Sequence, residues 1–159
     1  KIAIDLGIRI DFHEMPIFKE KPKDKDHGGA YWAVARICYS DVDGPDTTDG
    51  ILIYIKPAVY FDEPQDICNY KRQFSDFPHE TTADQFFDEP QFESHRAHGF
   101  YIMQRMCEGL PDQTGMNDLG WRTKFIENLA EQLTRIAPQV KKPKWLSTWI
   151  ERAGAPSRN

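Results

Sequence analysis

The sequence predicts an α/β protein in which a few strands come first and about three helices follow. Three observations predict this class: the chain opens on a period-two apolar pattern, two apolar runs then flank a turn-rich connector, and apolar residues recur at helical spacing in the remainder. At 159 residues the chain suits one domain with a single core.

The N-terminal element is a predicted strand. Residues 1–13, KIAIDLGIRIDFH, place apolar side chains at every second position, and Gly7 suits the end of a short helical entry: Leu6, Ile8, Ile10, Phe12. The charged, proline-containing segment 14–29 predicts a solvated loop. Because the chain begins on Lys1 and enters a strand at once, we expect it to be a piece of something longer, or a processed chain.

A β-hairpin is the next predicted element. AYWAVARICYS, at 30–40, and GILIYIKPAV, at 50–59, flank the connector DVDGPDTTD, whose composition is typical of turns. Residues 51–55 are nearly all apolar and mostly β-branched, which predicts a strand buried on both faces, and Pro57 ends it.

Three helices are predicted after the hairpin. The first covers 61–74, with Pro64 in its first turn. The second covers 88–107, with Asp88 as N-cap and Pro90 in the first turn; Phe92, Arg96, Gly99 and Met103 share one of its faces. The third spans about 121–137 along an apolar stripe, with Ile126 beside it: Trp121, Phe125, Leu129, Leu133, Ile136.

The strand count and the overall charge restrict the class of protein. About three strands are few for a sheet of this class, which usually has about five or six, so we expect strands or helices from outside the chain to complete it. The net charge of −5 argues against a partner bound through a nucleic-acid backbone. Three widely spaced cysteines predict reduced thiols in the cytoplasm, and no apolar run is long enough to span a bilayer.

A cluster of histidines and carboxylates in Pro78–Gly99 is the first candidate for chemistry. It contains His79, His95 and His98 among five acidic residues: Glu80, Asp84, Asp88, Glu89, Glu93. His95 and His98 are three residues apart on a predicted helix, so they can share a face, but no third zinc ligand lies at a telling distance. Thr82 and Gln85 form a capping-box pattern, so helix-start chemistry is the alternative to a metal or acid–base site.

Other reactive patterns in the sequence are incomplete. No serine lies in the G-x-S-x-G elbow of hydrolases, and Ser94 precedes His95 directly, so the two side chains diverge on a helix. HGGA, His27 to Ala30, resembles the oxyanion loop of esterases, but the sequence has no G-x-S-x-G serine whose reaction intermediate such a loop would stabilise. In KKPKWLSTWIER, Trp145 and Trp149 form an aromatic face after a basic run, which suits either a membrane surface or docking onto the domain.

Residues 50–99 resemble the C-terminal stretch of large bacterial patatin-like phospholipases. The resemblance consists of a YIKP strand, a DEP turn into a helix and an FPHE-TADQFF-QFES string: Tyr54–Pro57, Asp62–Pro64, Phe77–Glu80, Thr82–Phe87, Gln91–Ser94. The opening KIAIDLGIRIDF is similar to the strand that follows the catalytic core of these proteins. The likeness covers 1–15 and 30–107 and is weak over 108–159.

This resemblance implies a lipid acyl hydrolase with a Ser–Asp dyad in a larger α/β hydrolase, whose sheet this chain would complete. Both dyad motifs lie upstream of the matched region. Asp43-Gly44-Pro45 and Asp49-Gly50-Ile51 depart from the aspartate motif, so the resemblance assigns no catalytic, cofactor-binding or metal residue to this chain. Residues 1–107 then form the C-terminal part of the patatin-like domain, and 108–159 a helical extension with a frayed tail.

The expected partners are the N-terminal catalytic portion of the same protein and a lipid or membrane surface, with no nucleic acid and no cofactor. The expected location is the cytoplasm, or the periphery of the inner face of a membrane. A stand-alone binding or scaffold module derived from the family without hydrolase activity, and a metal-dependent hydrolase using His79, His95 and His98, are the alternatives.

Overall fold

The protein is a mixed α/β structure in which a three-stranded antiparallel sheet packs against helices. The computed structural model describes residues 7–12, 15–18, 29–81, 83, 86–110, 118–136 and 143–154. Within those residues the strands are β1 (Arg9–Phe12), β2 (Trp32–Cys38) and β3 (Gly50–Ile55). The helices are α1 (Ser40–Asp43), α2 (Gln65–Gln73), α3 (Glu89–Cys107), α4 (Asp118–Ile136) and α5 (Lys144–Gly154).

The predicted hairpin is confirmed, and the predicted N-terminal strand joins it. β2 pairs antiparallel with β3, Trp32 opposite Ile55, and with β1, Phe12 opposite Ala35, so the strand order is β1-β2-β3. The turn-rich connector contains the single helical turn of α1, which the sequence did not predict.

The prediction that residues 51–55 are buried on both faces is wrong. The central, most buried strand is β2, whose Ala33 and Ala35 have no exposed surface, whereas β3 lies at the edge with Tyr54 and Ile55 exposed. A continuous apolar run is typical of a strand covered on both faces. Here the first four residues of β3 are half-buried and the last two are exposed, so no part of the strand is covered on both faces.

The outer side of β3 is an open edge in the part of the chain that the structure describes. The Lys56 N–H donates to the Tyr31 carbonyl at 3.0 Å, so residues at even positions of β3 exchange the ladder hydrogen bonds with β2. The backbone polar groups of Ile51, Ile53 and Ile55 therefore point away from β2.

The core lies on one face of the sheet. Trp32 and Val34 project toward the helices beside Ile51 and Ile53, and four helical side chains cover them: Ile102, Met106, Leu129, Leu133. A smaller cluster of Val59, Ile67 and Phe77 joins α2 to α3, and Leu146 of α5 packs against Ile126 and Ala130 of α4. Burying these side chains provides the main driving force for the fold.

All three predicted helices form, with differences at their ends and faces. The Asp88 carboxylate accepts the Gln91 N–H at 2.8 Å and caps α3, as predicted. The face with Phe92 and Met103 is exposed, however, and α3 buries the side that carries Gln91, His98, Ile102 and Met106. α4 begins at Asp118, three residues before its predicted start, and Leu129 and Leu133 are buried as its stripe indicated.

No helix in the described residues is long and apolar enough to cross a membrane.

Candidate functional site

The most concentrated polar chemistry in the core centres on Glu63, a residue that the sequence did not single out. Its side chain is 7% exposed. The Oε1 atom accepts the Tyr31 hydroxyl at 2.7 Å and the Tyr60 N–H at 2.8 Å. The Cys68 Sγ lies 3.2 Å from the Glu63 carbonyl oxygen. Glu63 therefore joins β2, the turn before α2, and α2 itself; we call this set the Glu63 hub.

Tyr31 is the donor of the hub. Its hydroxyl proton can go to Glu63 or to Asp62, whose Oδ1 lies 2.9 Å away. Burial, and then the hydrogen bond to Glu63, raise the pKa of Tyr31 far above its ordinary value. Tyr31 thus stays protonated at neutral pH and does not act as a base.

Cys68 is not an activated nucleophile. Burial and the neighbouring Glu63 raise the pKa of its thiol, and the thiolate is the form that attacks. The buried Cys38 lies in β2, and Cys107 is exposed at the end of α3; all three cysteines are free thiols.

His98 lies beside the hub with 1% of its surface exposed. Its Nε2 is 2.9 Å from the Ala58 carbonyl oxygen, so Nε2 carries the proton and donates. Burial lowers the pKa of His98, and the ring is therefore neutral at pH 7. Its Nδ1 has no hydrogen-bond partner in the described structure.

The structure brings His95 and His98 together around Phe77, not around a metal. The Phe77 ring is fully buried, 4.9 Å from the His95 ring and 5.7 Å from the His98 ring between centroids. Glu80 approaches His95 with Oε2 at 3.2 Å from Nε2, an ion-pair distance whose angle does not make a hydrogen bond. Among the described residues, no group of three His, Cys, Asp or Glu side chains could hold a metal ion.

Two further residues of the predicted cluster, His79 and Asp88, have other positions and roles. His79 is exposed, and Asp88 serves as the helix cap. Thr82, Asp84 and Gln85, the capping-box pattern among them, lie outside the described residues.

Gly29, the described glycine of the HGGA motif, allows the Tyr60 ring to pack closely against the backbone. A Cβ placed on Gly29 would lie 2.7 Å from the Tyr60 ring, so only glycine fits there. The Tyr60 hydroxyl accepts the Phe18 N–H at 3.1 Å and lies 3.1 Å from the carbonyl oxygens of both Phe18 and Ala30. Tyr60 therefore fastens two separate stretches of chain; His27 and Gly28 lie outside the described residues.

Ser94 is engaged within its own helix. Its hydroxyl donates to the Pro90 carbonyl at 2.7 Å, four residues back, which agrees with the expectation that it does not pair with His95.

The aromatic face of KKPKWLSTWIER docks onto the domain. Leu146 is fully buried, Trp145 and Ile150 pack against the core, and Trp149 Nε1 donates to the Asp49 carbonyl at 2.9 Å. Of the two alternatives for this face, docking is the one the structure contains.

Sequence reasoning missed the Glu63 hub because its members are far apart in the chain. Tyr31 and Glu63 are separated by 32 positions, and only the pairing of β2 with β3 brings them together. The only local sign was a pair of acidic residues, Asp62 and Glu63, shortly before the helix that begins at Gln65, and acidic residues are common at helix starts.

Comparison with known proteins finds no family model that matches the chain, and no matching curated protein or solved structure.

Proposed function

We propose that this chain is the C-terminal, non-catalytic part of a patatin-like phospholipase, in which an upstream Ser–Asp dyad hydrolyses lipid esters. In the whole enzyme a serine alkoxide attacks the ester carbonyl with aspartate as base. The observation that carries the proposal is where the described residues of the family-like string lie. They form the end of β3, the turn before α2, the loop after α2 and the first turns of α3, and several of them stabilise the fold there.

The string begins at the exposed end of β3 and runs through the Glu63 turn and α2 to the Phe77 loop and α3. Glu63 receives two buried hydrogen bonds, Phe77 fills the space between α2 and α3, and Asp88 caps α3. Gln91, later in the string, is also buried. These contacts account for the residues without assigning them to catalysis.

The state of the reactive groups supports a non-catalytic role. Tyr31 and Cys68 are held in their protonated forms, and Ser94 donates to a backbone carbonyl. Tyr31 and Cys68 both face the Glu63 carboxyl group, but this neighbour raises their pKa values and so does not activate them as nucleophiles.

The open edge of β3 supports an upstream partner. Its six residues, GILIYI, contain no charge and no proline, the usual devices that protect an exposed edge strand. A strand from the upstream portion would accept and donate hydrogen bonds along Ile51, Ile53 and Ile55. The three free thiols suit the reducing cytoplasm, where the proposal places the protein, in solution or at the inner face of a membrane.

Covalent labelling tests the proposal. A fluorophosphonate probe reacts with activated serines, so we expect it to label the protein translated from the full reading frame and to leave the 159-residue chain unlabelled. Replacing the upstream G-x-S-x-G serine with alanine should abolish both labelling and ester hydrolysis. Labelling of the chain alone, or a reading frame without either dyad motif, would refute the proposal.

A stand-alone binding or scaffold module is the second candidate, and one observation favours it. The core-facing side of the sheet is covered by this chain's own helices α3, α4 and α5. A monomeric chain that melts cooperatively would favour the module, whereas aggregation through the β3 edge would favour the upstream partner.

A further inference from the structure

The cleft between the β2–β3 connector and α5 is lined by polar and aromatic side chains. Its volume is about 570 Å³. Arg36, Ser40 and Asp49 line it from the sheet side, and Lys144, Trp145 and Trp149 line it from α5. We call it the α5 cleft. It lies apart from the Glu63 hub, and the proposed function gives it no role.

Two residues that line the cleft have hydrogen-bond donors without acceptors in the described structure. Arg36 Nε and Trp145 Nε1 are both buried atoms that have no hydrogen-bond partner in the described structure. Buried donors without partners are rare in folded proteins and indicate a missing acceptor. Lys144 adds a cation, and no described carboxylate forms an ion pair with it.

The carboxylates that line the cleft are already engaged. Asp49 Oδ1 accepts the Ser40 N–H at 2.9 Å, and Asp49 Oδ2 pairs with Arg36 Nη1 at 3.4 Å. Asp41, which also lines the cleft, accepts at Oδ2 from Arg9 Nε at 3.2 Å. Arg36 also pairs with Asp11, its Nη2 atom lying 3.6 Å from Asp11 Oδ2. Among the described residues, Lys144 is left without an ion pair, and Arg36 Nε and Trp145 Nε1 are left without acceptors.

The first turn of α5 adds further hydrogen-bond donors. Lys144 and Trp145 belong to its first turn, where backbone N–H groups have no partner within the helix and the helix dipole is positive. The Trp145 and Trp149 rings supply flat apolar surface beside these donors.

We propose that this cleft binds a small oxyanion, the phosphate or carboxylate group of a ligand, between Lys144 and the buried donors of Arg36 and Trp145. The anion accepts hydrogen bonds from Trp145 Nε1 and the Lys144 ammonium, and the indole rings contact the rest of the ligand. The inference is independent of the phospholipase proposal.

Tryptophan fluorescence tests the inference, because two of the chain's four tryptophans line the cleft. The chain is titrated with sodium phosphate and sodium acetate, with sodium chloride at equal ionic strength as the baseline. We expect a saturable change with at least one of the two oxyanions. Parallel titrations with phosphatidic acid and phosphatidylcholine vesicles distinguish a lipid headgroup from a free anion as the ligand.

Two variants locate the site. Lys144→Gln removes the cation, and Trp145→Phe removes the Nε1 donor while keeping an aromatic ring. Each should weaken binding by about tenfold, since a charge-assisted hydrogen bond contributes about 1.5 to 3 kcal/mol and a factor of ten is about 1.4 kcal/mol. Lys124→Gln and Trp121→Phe, at α4 positions outside the cleft, are the matched controls and should bind like the parent.

Three outcomes would overturn the inference: no saturable change with any anion or vesicle, an affinity in both cleft variants equal to that of the parent chain, or the same weakening in the control variants.

Discussion

The Glu63 hub and the α5 cleft both gather polar groups, yet their hydrogen-bonding states are opposite. In the hub, the Tyr31 hydroxyl and the Tyr60 N–H converge on one carboxyl, and the chain completes the arrangement itself. In the cleft, Arg36 Nε and Trp145 Nε1 have no acceptor among the residues that the structure describes. A cluster of titratable residues is therefore better judged by its unused hydrogen-bonding capacity than by its composition. The carboxyl group at the centre of the hub is engaged, whereas two donors of residues that line the cleft are not.

The largest expected effect is on the stability of the hub's surroundings. Phe77→Ala should lower the free energy of unfolding by about 3 to 5 kcal/mol. The Phe77 ring is fully buried between Tyr70, His95 and His98, so its removal would leave a cavity. Urea denaturation measures the change. The exposed Phe92→Ala on α3 is the control, with an expected change within about 0.5 kcal/mol.

Glu63→Ala should cost about 2 to 4 kcal/mol, since each buried donor left without an acceptor costs about 1 to 3 kcal/mol. Glu63→Gln keeps an acceptor oxygen and should recover most of the loss in the same urea experiment. Equal losses in the two variants would show that the hub's hydrogen bonds are not what stabilises it.

The pH dependence of stability should depend on His98. Because burial lowers its pKa below the ordinary 6.5, the unfolded chain binds the proton more readily than the folded one. Stability contributed by the neutral ring is thus present above about pH 6.5 and declines as the pH falls below it, by at most about 1.4 kcal/mol per pH unit.

Chemical denaturation at about pH 7.5, 6.5 and 5.5 measures this slope, and His98→Gln should flatten it. Glu63 opposes the shift and His95 and His79 reinforce it, so a Glu63→Gln variant should steepen the decline. An unchanged slope in His98→Gln would assign the pH dependence to other groups.

Asp88→Ala should destabilise the protein by about 1 kcal/mol through loss of the α3 cap, and Asp88→Asn should retain most of that stability. Thermal unfolding followed by circular dichroism is sufficient to compare the two. If Asp88→Ala leaves the thermal stability unchanged, the start of α3 is fixed by the packing of Phe77 and not by the cap.

Changes in the cleft should have the smallest effect on stability. Lys144→Gln, at an exposed position without a described ion pair, should change the free energy of unfolding by less than about 0.5 kcal/mol. Such a small change would contrast with the large loss expected for Glu63→Ala, since a residue whose role is to bind a ligand can be replaced without destabilising the fold. A loss comparable to that of Glu63→Ala would assign Lys144 a structural role.

Local features of the fold were accessible from the sequence because local physics determines them. The connector between two apolar runs predicted the hairpin, and Asp88 with Pro90 predicted the start of α3 to within a residue. The stripe through Leu129 and Leu133 identified the buried side of α4.

Features that depend on which elements meet were not accessible. The apolar content of Ile51–Ile55 is the same whether the strand is central or at an edge, and α3 has apolar residues on both sides, so its buried face was set by contact with β2 and α4. The Glu63 hub and the α5 cleft likewise join residues that are distant in sequence, and no spacing rule identifies them.

The Tyr60 hydroxyl has a practical consequence for engineering the molecule. It holds the backbone at Phe18 and at Ala30, and the Ala30 N–H also donates to the Pro16 carbonyl at 2.8 Å. The two ends of the intervening segment are therefore fixed by contacts that do not involve the segment itself. Doubling the length of a flexible connection costs only about 0.6 kcal/mol in loop-closure entropy, so an affinity tag or a reporter inserted between the two anchored ends should cost little stability.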